Sequence, residues 1–119
     1  MKTARFWQAE KNLAVKCELC PHRCLIPEGG RSRCFGRVNH EGTLMAETWG
    51  WPVSICVDPI EKKPLNHFLP GSQILSLGTL GCNLSCRFCQ NWELSHPGGL
   101  RISKGNLVLP EEVAQSAVQ

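Results

Sequence analysis

No stretch of this sequence is apolar for the length needed to cross a bilayer. Between Met1 and Val15, Lys2, Arg5, Glu10 and Lys11 are scattered among apolar positions, with no continuous apolar stretch of the kind that forms a secretory signal. Neither a membrane partner nor export is therefore expected. Internal repeats and low-complexity tracts are also missing, which argues against a solenoid. Apolar residues are sparse between Cys17 and Cys34, where Pro27, Gly29 and Gly30 interrupt the chain. That segment cannot supply a packed core and needs another staple.

Cysteine, by contrast, is abundant: there are eight in 119 residues, the length of one ordinary domain. A secreted disulfide scaffold would account for the number but not for the bunching. Tightly spaced cysteines without an export signal point to metal ligation in a reducing, cytoplasmic setting.

Two groups stand out. Cys82, Cys86 and Cys89 form a Cys-x3-Cys-x2-Cys array inside the run Gly81 to Trp92. Three thiolates this close repel one another unless a cation or cluster takes their charge. With no obvious fourth ligand beside them, one metal position stays open, and an open position is where chemistry happens. A four-iron, four-sulfur cluster held by three cysteines has one such iron. The competing reading is a zinc knuckle, with His96 as the fourth ligand. The second group is Cys17, Cys20, Cys24 and Cys34, enough for a closed tetrahedral site. Structural zinc and a second iron–sulfur cluster are both open there. His22 reads as an exposed loop residue, because four sulfurs already suffice. Arg23, Arg31, Arg33 and Arg37 surround this group and can balance thiolate charge.

That balance matters for partners. The formal charge of +3 treats every thiol as neutral. Four thiolates on zinc carry about −2 in total, and three on an oxidised four-iron cluster about −1. With both sites filled the chain is close to neutral, so nucleic acid is not an expected partner.

Taken in order, Phe6 and Trp7 should pack on the small domain that follows, and Leu13 and Val15 alternate like a short strand. Arg37-Val38, a turn over Asn39 to Gly42, and Leu44 to Trp49 read as a hairpin. Val53 to Val57 reads as a short apolar strand with Cys56 as a buried small hydrophobe. Asp58 to Leu65 is a polar connector in which Lys62 and Lys63 are most simply solvated, or else face an anionic substrate or partner. Gln73 to Leu77 reads as a buried parallel strand leading into the cysteine loop, the site geometry of α/β barrels. A loop with Pro97, Gly98, Gly99 and Gly105 precedes a helix opened by Pro110-Glu111-Glu112, whose Val113, Ala114, Ala117 and Val118 share one face. The expected division is a four-cysteine, β-rich subdomain over 1–57, a connector over 58–72, and the start of an α/β barrel over 73–119.

The spacing of Cys82, Cys86 and Cys89, with the aromatic Phe88 before the last cysteine, resembles the signature of the radical S-adenosylmethionine (radical SAM) superfamily. Three motifs narrow the likeness: Cys17-x2-Cys20-Pro-His-x-Cys24; Asp58-Pro-Ile-Glu-Lys-Lys-Pro-Leu65 with His67-Phe-Leu-Pro-Gly-Ser72; and Gly81-Cys-Asn-x2-Cys-x-Phe-Cys-Gln-Asn-Trp92. Together they resemble the N-terminal part of the AmmeMemoRadiSam system radical SAM enzymes, relatives of pyruvate formate-lyase activating enzymes. The Cys34-Phe-Gly-Arg37 segment departs slightly from that family's usual Cys-Gly-Val-Arg.

The resemblance implies that Cys82, Cys86 and Cys89 hold a 4Fe–4S cluster, whose open iron is chelated by S-adenosylmethionine. It places Phe88 by the adenine of this cofactor. It implies reductive cleavage to methionine and a 5′-deoxyadenosyl radical, and an electron donor such as flavodoxin or ferredoxin. It also admits an activase that installs a glycyl radical on a partner protein, which would make the substrate a protein. A module with two zincs that binds protein or RNA is the alternative from a different class. A full (β/α) barrel takes about 250 residues. The expectation is therefore a truncated beginning of a partial barrel, inactive by itself.

Overall fold

A computed structural model describes residues 1–97 and 107–118. The chain divides into two compact units, one built from Met1–Trp49 with the described part of Leu80–Lys104, the other from Gly50–Thr79 with the described part of Gly105–Gln119. These units differ from the division expected at 57 and 72, for a physical reason given by the strand pairing below.

The first unit holds two small antiparallel sheets. One has the order β2 (Trp7–Ala9), β3 (Val15–Cys17), β4 (Leu25–Ile26); the other has β1 (Lys2–Thr3), β6 (Thr43–Ala46), β5 (Arg37–His40). Alternation in β3 sends Val15 and Cys17 inward and leaves Lys16 between them. Val15 pairs with Ala9 on one side and Ile26 on the other. Val15, Cys17, Ile26, Leu44 and Ala4 form the core, with Trp7, Cys24 and Ala46 packed against it. Trp7 packs as expected, its Nε1 donating to Ala4 O at 3.1 Å, whereas Phe6 is exposed at φ 58°. Leu13 ends a short 3-10 turn, Lys11–Leu13, and does not continue β3.

The β5–β6 hairpin is where the alternation put it, with Asn39 opposite Leu44 and His40 opposite Thr43. Its two-residue turn is Glu41-Gly42, both at positive φ (50° and 77°), the handedness that matches strand twist. Asn39 is not a turn residue as expected but a buried strand residue, 1% exposed. Its Nδ2 donates to Leu13 O (2.8 Å) and Ile26 O (2.9 Å), and its Oδ1 accepts from Gly42 N (3.0 Å). One amide thus ties both sheets of the unit to the hairpin turn.

The second unit is a two-stranded ribbon, β7 (Ser54–Pro59) antiparallel to β8 (Gln73–Gly78), followed by helix α2 (Pro110–Val118). This corrects three expectations. Gln73 to Leu77 is neither parallel nor buried: it pairs with β7 and is half-exposed. Cys56 is exposed, because β7 has only one buried residue, Asp58. Residues 60–72 are the loop of this ribbon, not a connector between domains, which is why the boundary falls near residue 50. All strand pairs among the described residues are antiparallel.

Lys62 and Lys63 are exposed, as expected, and both also pair with one carboxylate. The 3-10 turn Ile60–Lys62 brings Lys62 Nζ to 2.7 Å and Lys63 Nζ to 3.0 Å from the Asp58 carboxylate, which also accepts from Cys56 Sγ at 3.3 Å. Lys62 first, then Ser76, Lys63 and Cys56, hold Asp58 far below the ordinary carboxylate range, and the Asp58 carboxylate in turn raises Lys62. Helix α2 starts at Pro110 as expected, with Glu112 accepting from Leu109 N at 2.6 Å, and buries no side chain. Most of the expected loop, Gly98, Gly99 and Gly105, lies outside the described residues. No described helix is long and apolar enough to cross a membrane.

Candidate metal centre

The loop of Cys82, Cys86 and Cys89 runs from Leu80, which is buried, to the one-turn helix α1 (Trp92–Ser95). Gly81 opens it at φ 93°, a conformation that L side chains rarely adopt. The Gly81 N–H donates to Leu94 O at 2.7 Å and so ties the start of the loop to α1. A Cβ at Gly81 would overlap the carbonyl oxygen of Cys34. Glycine is thus required twice here, for its φ and for the close approach of another backbone.

Within the loop, Cys89 N donates to Cys86 O at 3.3 Å and shapes the turn between those two cysteines. Cys82 Sγ accepts from Leu84 N at 3.4 Å. Amide donors to sulfur are one of the ways a protein tunes a metal–sulfur site. Cys89 Sγ lies 3.3 Å from Ser95 Oγ, and Ser95 Oγ lies 2.9 Å from His96 Nδ1. Cys86 is exposed, while Cys82 and Cys89 are half-buried. Phe88 is 87% exposed, its ring uncovered.

The second group belongs to the same compact unit. Cys17 is in the core, its Sγ 3.5 Å from Arg37 Nη1. Cys17 N donates to Cys24 O at 2.9 Å, which joins the two ends of the Cys17–Cys24 segment. Cys34 Sγ lies 3.2 Å from Ser32 Oγ. Of the four arginines, Arg37 serves the cysteines directly. Arg31 instead pairs with Glu47, and Arg33 donates to Ser85 Oγ at 3.3 Å.

All eight cysteines are free thiols. Among the described residues, no three His, Cys, Asp or Glu side chains are gathered as a metal-binding group. Three thiols on one short loop, entered through a glycine that no other residue can replace and with an amide already directed at one sulfur, suit an iron–sulfur cluster. The four thiols of the other group suit zinc or a second cluster equally.

Three features escaped sequence reading. His22, though exposed, donates from Nε2 to Asn83 O at 2.7 Å; a carbonyl only accepts, so this nitrogen carries the proton. Cys34 O packs against Gly81. A cavity of about 460 Å³ has Arg31, Arg33 and Phe35 on one wall and Cys82, Leu84 and Ser85 on the other, with His96 also lining it. All three join segments far apart in sequence, and local spacing gives no sign of them. The Asp58–Lys62 pair did carry a signal, since acid and base stand four residues apart.

No protein-family model matches the chain, and no solved structure matches it. The chain is 40% identical over 119 residues, its whole length, to a protein of Methanocaldococcus jannaschii named "Uncharacterized protein MJ0808". It spans 35% of that protein's length.

Proposed function

We propose that this chain carries the cluster-binding portion of a radical SAM enzyme. The observation that supports it is the loop from Gly81 to Trp92, which presents Cys82, Cys86 and Cys89 as free thiols with Cys82 already accepting an amide hydrogen bond. These three cysteines would hold a 4Fe–4S cluster. When bound, such a cluster supplies one electron to S-adenosylmethionine, whose cleavage gives methionine and a 5′-deoxyadenosyl radical. The chain's own residues shape the site. Gly81 admits the close packing of Cys34, the Leu84 amide steadies Cys82, and Ser95 reaches Cys89. The uncovered ring of Phe88 is where the family likeness puts the adenine.

On this reading Cys17, Cys20, Cys24 and Cys34 hold a second metal, zinc or iron–sulfur. The (β/α) barrel, the substrate and the electron donor belong to a longer protein, consistent with the greater length of the Methanocaldococcus relative.

Anaerobic reconstitution with iron and sulfide tests the assignment. The chain should turn brown and hold about four irons and four sulfides at this loop. Cys86→Ala should lose that cluster while leaving the second metal in place. Added S-adenosylmethionine should shift the electron paramagnetic resonance of the reduced cluster in the full-length protein. A colourless chain that takes up zinc alone at both groups would reject the proposal in favour of a zinc module. The chain by itself should release no 5′-deoxyadenosine catalytically from S-adenosylmethionine and dithionite.

A further inference from the structure

Both flanks of Cys82 are held by the segment that carries the other cysteines. On one side, Gly81 lies so close beneath the carbonyl of Cys34 that no Cβ fits between them. On the other, the carbonyl of Asn83 accepts the 2.7 Å hydrogen bond from His22, a contact spanning 61 residues of sequence. Two residues further on, Ser85 accepts from Arg33, the chain neighbour of Cys34. Anchors at 81, 83 and 85 leave Cys82 little room to move, although it belongs to no helix or strand.

We propose that residues 20–35 form a clamp that fixes the position of Cys82, with His22 and Arg33 as its positioning residues. The purpose of the clamp rests on the reading of Cys82 as a cluster ligand; its mechanics do not. His22 sits in a turn closed by Arg23 N to Cys20 O at 3.1 Å, and Cys34 sits in one closed by Phe35 N to Ser32 O at 3.0 Å. Both turns are short and carry thiols, so whatever orders those thiols also orders the clamp. His22 and Arg33 need only their N–H donors for this, and neither touches the reacting atoms. The clamp restricts the loop's backbone before any cluster binds, which lowers the cost of ordering the loop when its thiols are gathered.

Hydrogen exchange of the whole chain, read by mass spectrometry, tests the clamp without reference to activity. In His22→Ala the peptide over 83–86, whose hydrogen-bonded amide is Leu84, should exchange about fivefold faster, the effect of losing one exposed hydrogen bond. Arg33→Ala should act in the same direction, and the conservative His22→Gln, which keeps a donor, should restore protection. Peptides from β5 and β6, in the same compact unit, should not change in any variant, which separates the clamp from general destabilisation of that unit. Unchanged exchange at 83–86 in both alanine variants overturns the proposal, as does an equal acceleration in β5 and β6. If His22→Ala does not fold, Arg33→Ala alone decides. Iron analysis of the same samples keeps the two ideas apart. Accelerated loop exchange in a chain that binds no iron leaves the clamp standing and removes the cluster, and a cluster-bearing chain with unaltered exchange does the reverse.

Discussion

Gly81→Ala is the most direct probe of how the two cysteine groups are joined. The substitution adds one methyl group and no charge. At φ 93° an alanine is strained, which costs about 1–3 kcal/mol where the surroundings enforce the conformation. The new Cβ also meets the backbone of Cys34, its nearest atoms being the carbonyl oxygen and the carbonyl carbon, the latter at 3.1 Å. A backbone carbonyl cannot swing away like the tip of a side chain, so overpacking adds about 1–3 kcal/mol. The sum, about 2–6 kcal/mol, is a large share of the 5–15 kcal/mol that typically separates a folded domain from its unfolded chain. It can be released in two ways. Either the whole first unit loses stability, or the loop lifts off Cys34 and breaks the Gly81–Leu94 hydrogen bond. Urea unfolding followed by tryptophan fluorescence reads the first, and exchange of the 80–86 amides reads the second. At least one should move by the equivalent of about 2 kcal/mol, roughly thirtyfold in exchange. A variant with the parent's urea midpoint and the parent's loop protection would refute the packing of Cys34 on Gly81.

Asn39→Ala removes three side-chain hydrogen bonds at about 1 kcal/mol each, the one to the Ile26 carbonyl buried, so urea unfolding should show a loss of about 3 kcal/mol. Leu44→Ala, at a fully buried core position, should cost about 3–5 kcal/mol in the same assay, whereas Leu19→Ala at a position 54% exposed should stay within about 0.5 kcal/mol. Asp58 is an acid whose folded pKa is depressed, so its contribution is present above the unfolded value of about 3.9 and is lost as pH falls toward the much lower folded value. Asp58→Asn should therefore weaken the ribbon at neutral pH, seen as faster exchange in β7 and β8, and should flatten the ribbon's response to acid between about pH 4 and pH 2.

How much of this was legible in the sequence depends on how far apart the interacting residues stand. The hairpin of Arg37–His40 and Thr43–Ala46 was legible because alternation and a Gly-bearing turn are local signals. The start of α2 at Pro110 was local too. So were the cysteine spacings, which are set by the loop that carries them. The pairing of Gln73–Gly78 was not local. An apolar run such as Ile74, Leu75 and Leu77 fits a buried parallel strand and a half-exposed antiparallel one equally well, and only its partner decides. That partner, Ser54–Pro59, stands across the residues that were read as a connector, which also moved the boundary between the units. Cys56 followed the same error, since apolar neighbours in sequence imply burial only if a second layer covers them. Asn39 misled in the opposite direction. Asparagine favours turns because its amide can satisfy a backbone left unpaired, and here it uses that same capacity from inside a strand, on the carbonyls of Leu13 and Ile26.

The contacts of His22 and Cys34 with the loop at Gly81 and Asn83 follow from the same logic, and they explain why the two cysteine groups cannot be treated as separate modules. Each group reads from sequence as a self-contained ligand set, because metal spacing is a local property. Nothing local says that the turn bearing Cys20 and Cys24 will lie against the loop bearing Cys82. Yet one backbone approach and two side-chain hydrogen bonds connect them, and the approach tolerates only glycine. A change that disorders the N-terminal turns therefore reaches Cys82 without touching it. Substitution of any of Cys20, Cys24 or Cys34 should raise exchange at residues 83–86 before it affects the β5–β6 hairpin of the same unit. The reverse order, hairpin first and loop unmoved, would mean that the four-cysteine segment supports only its own fold.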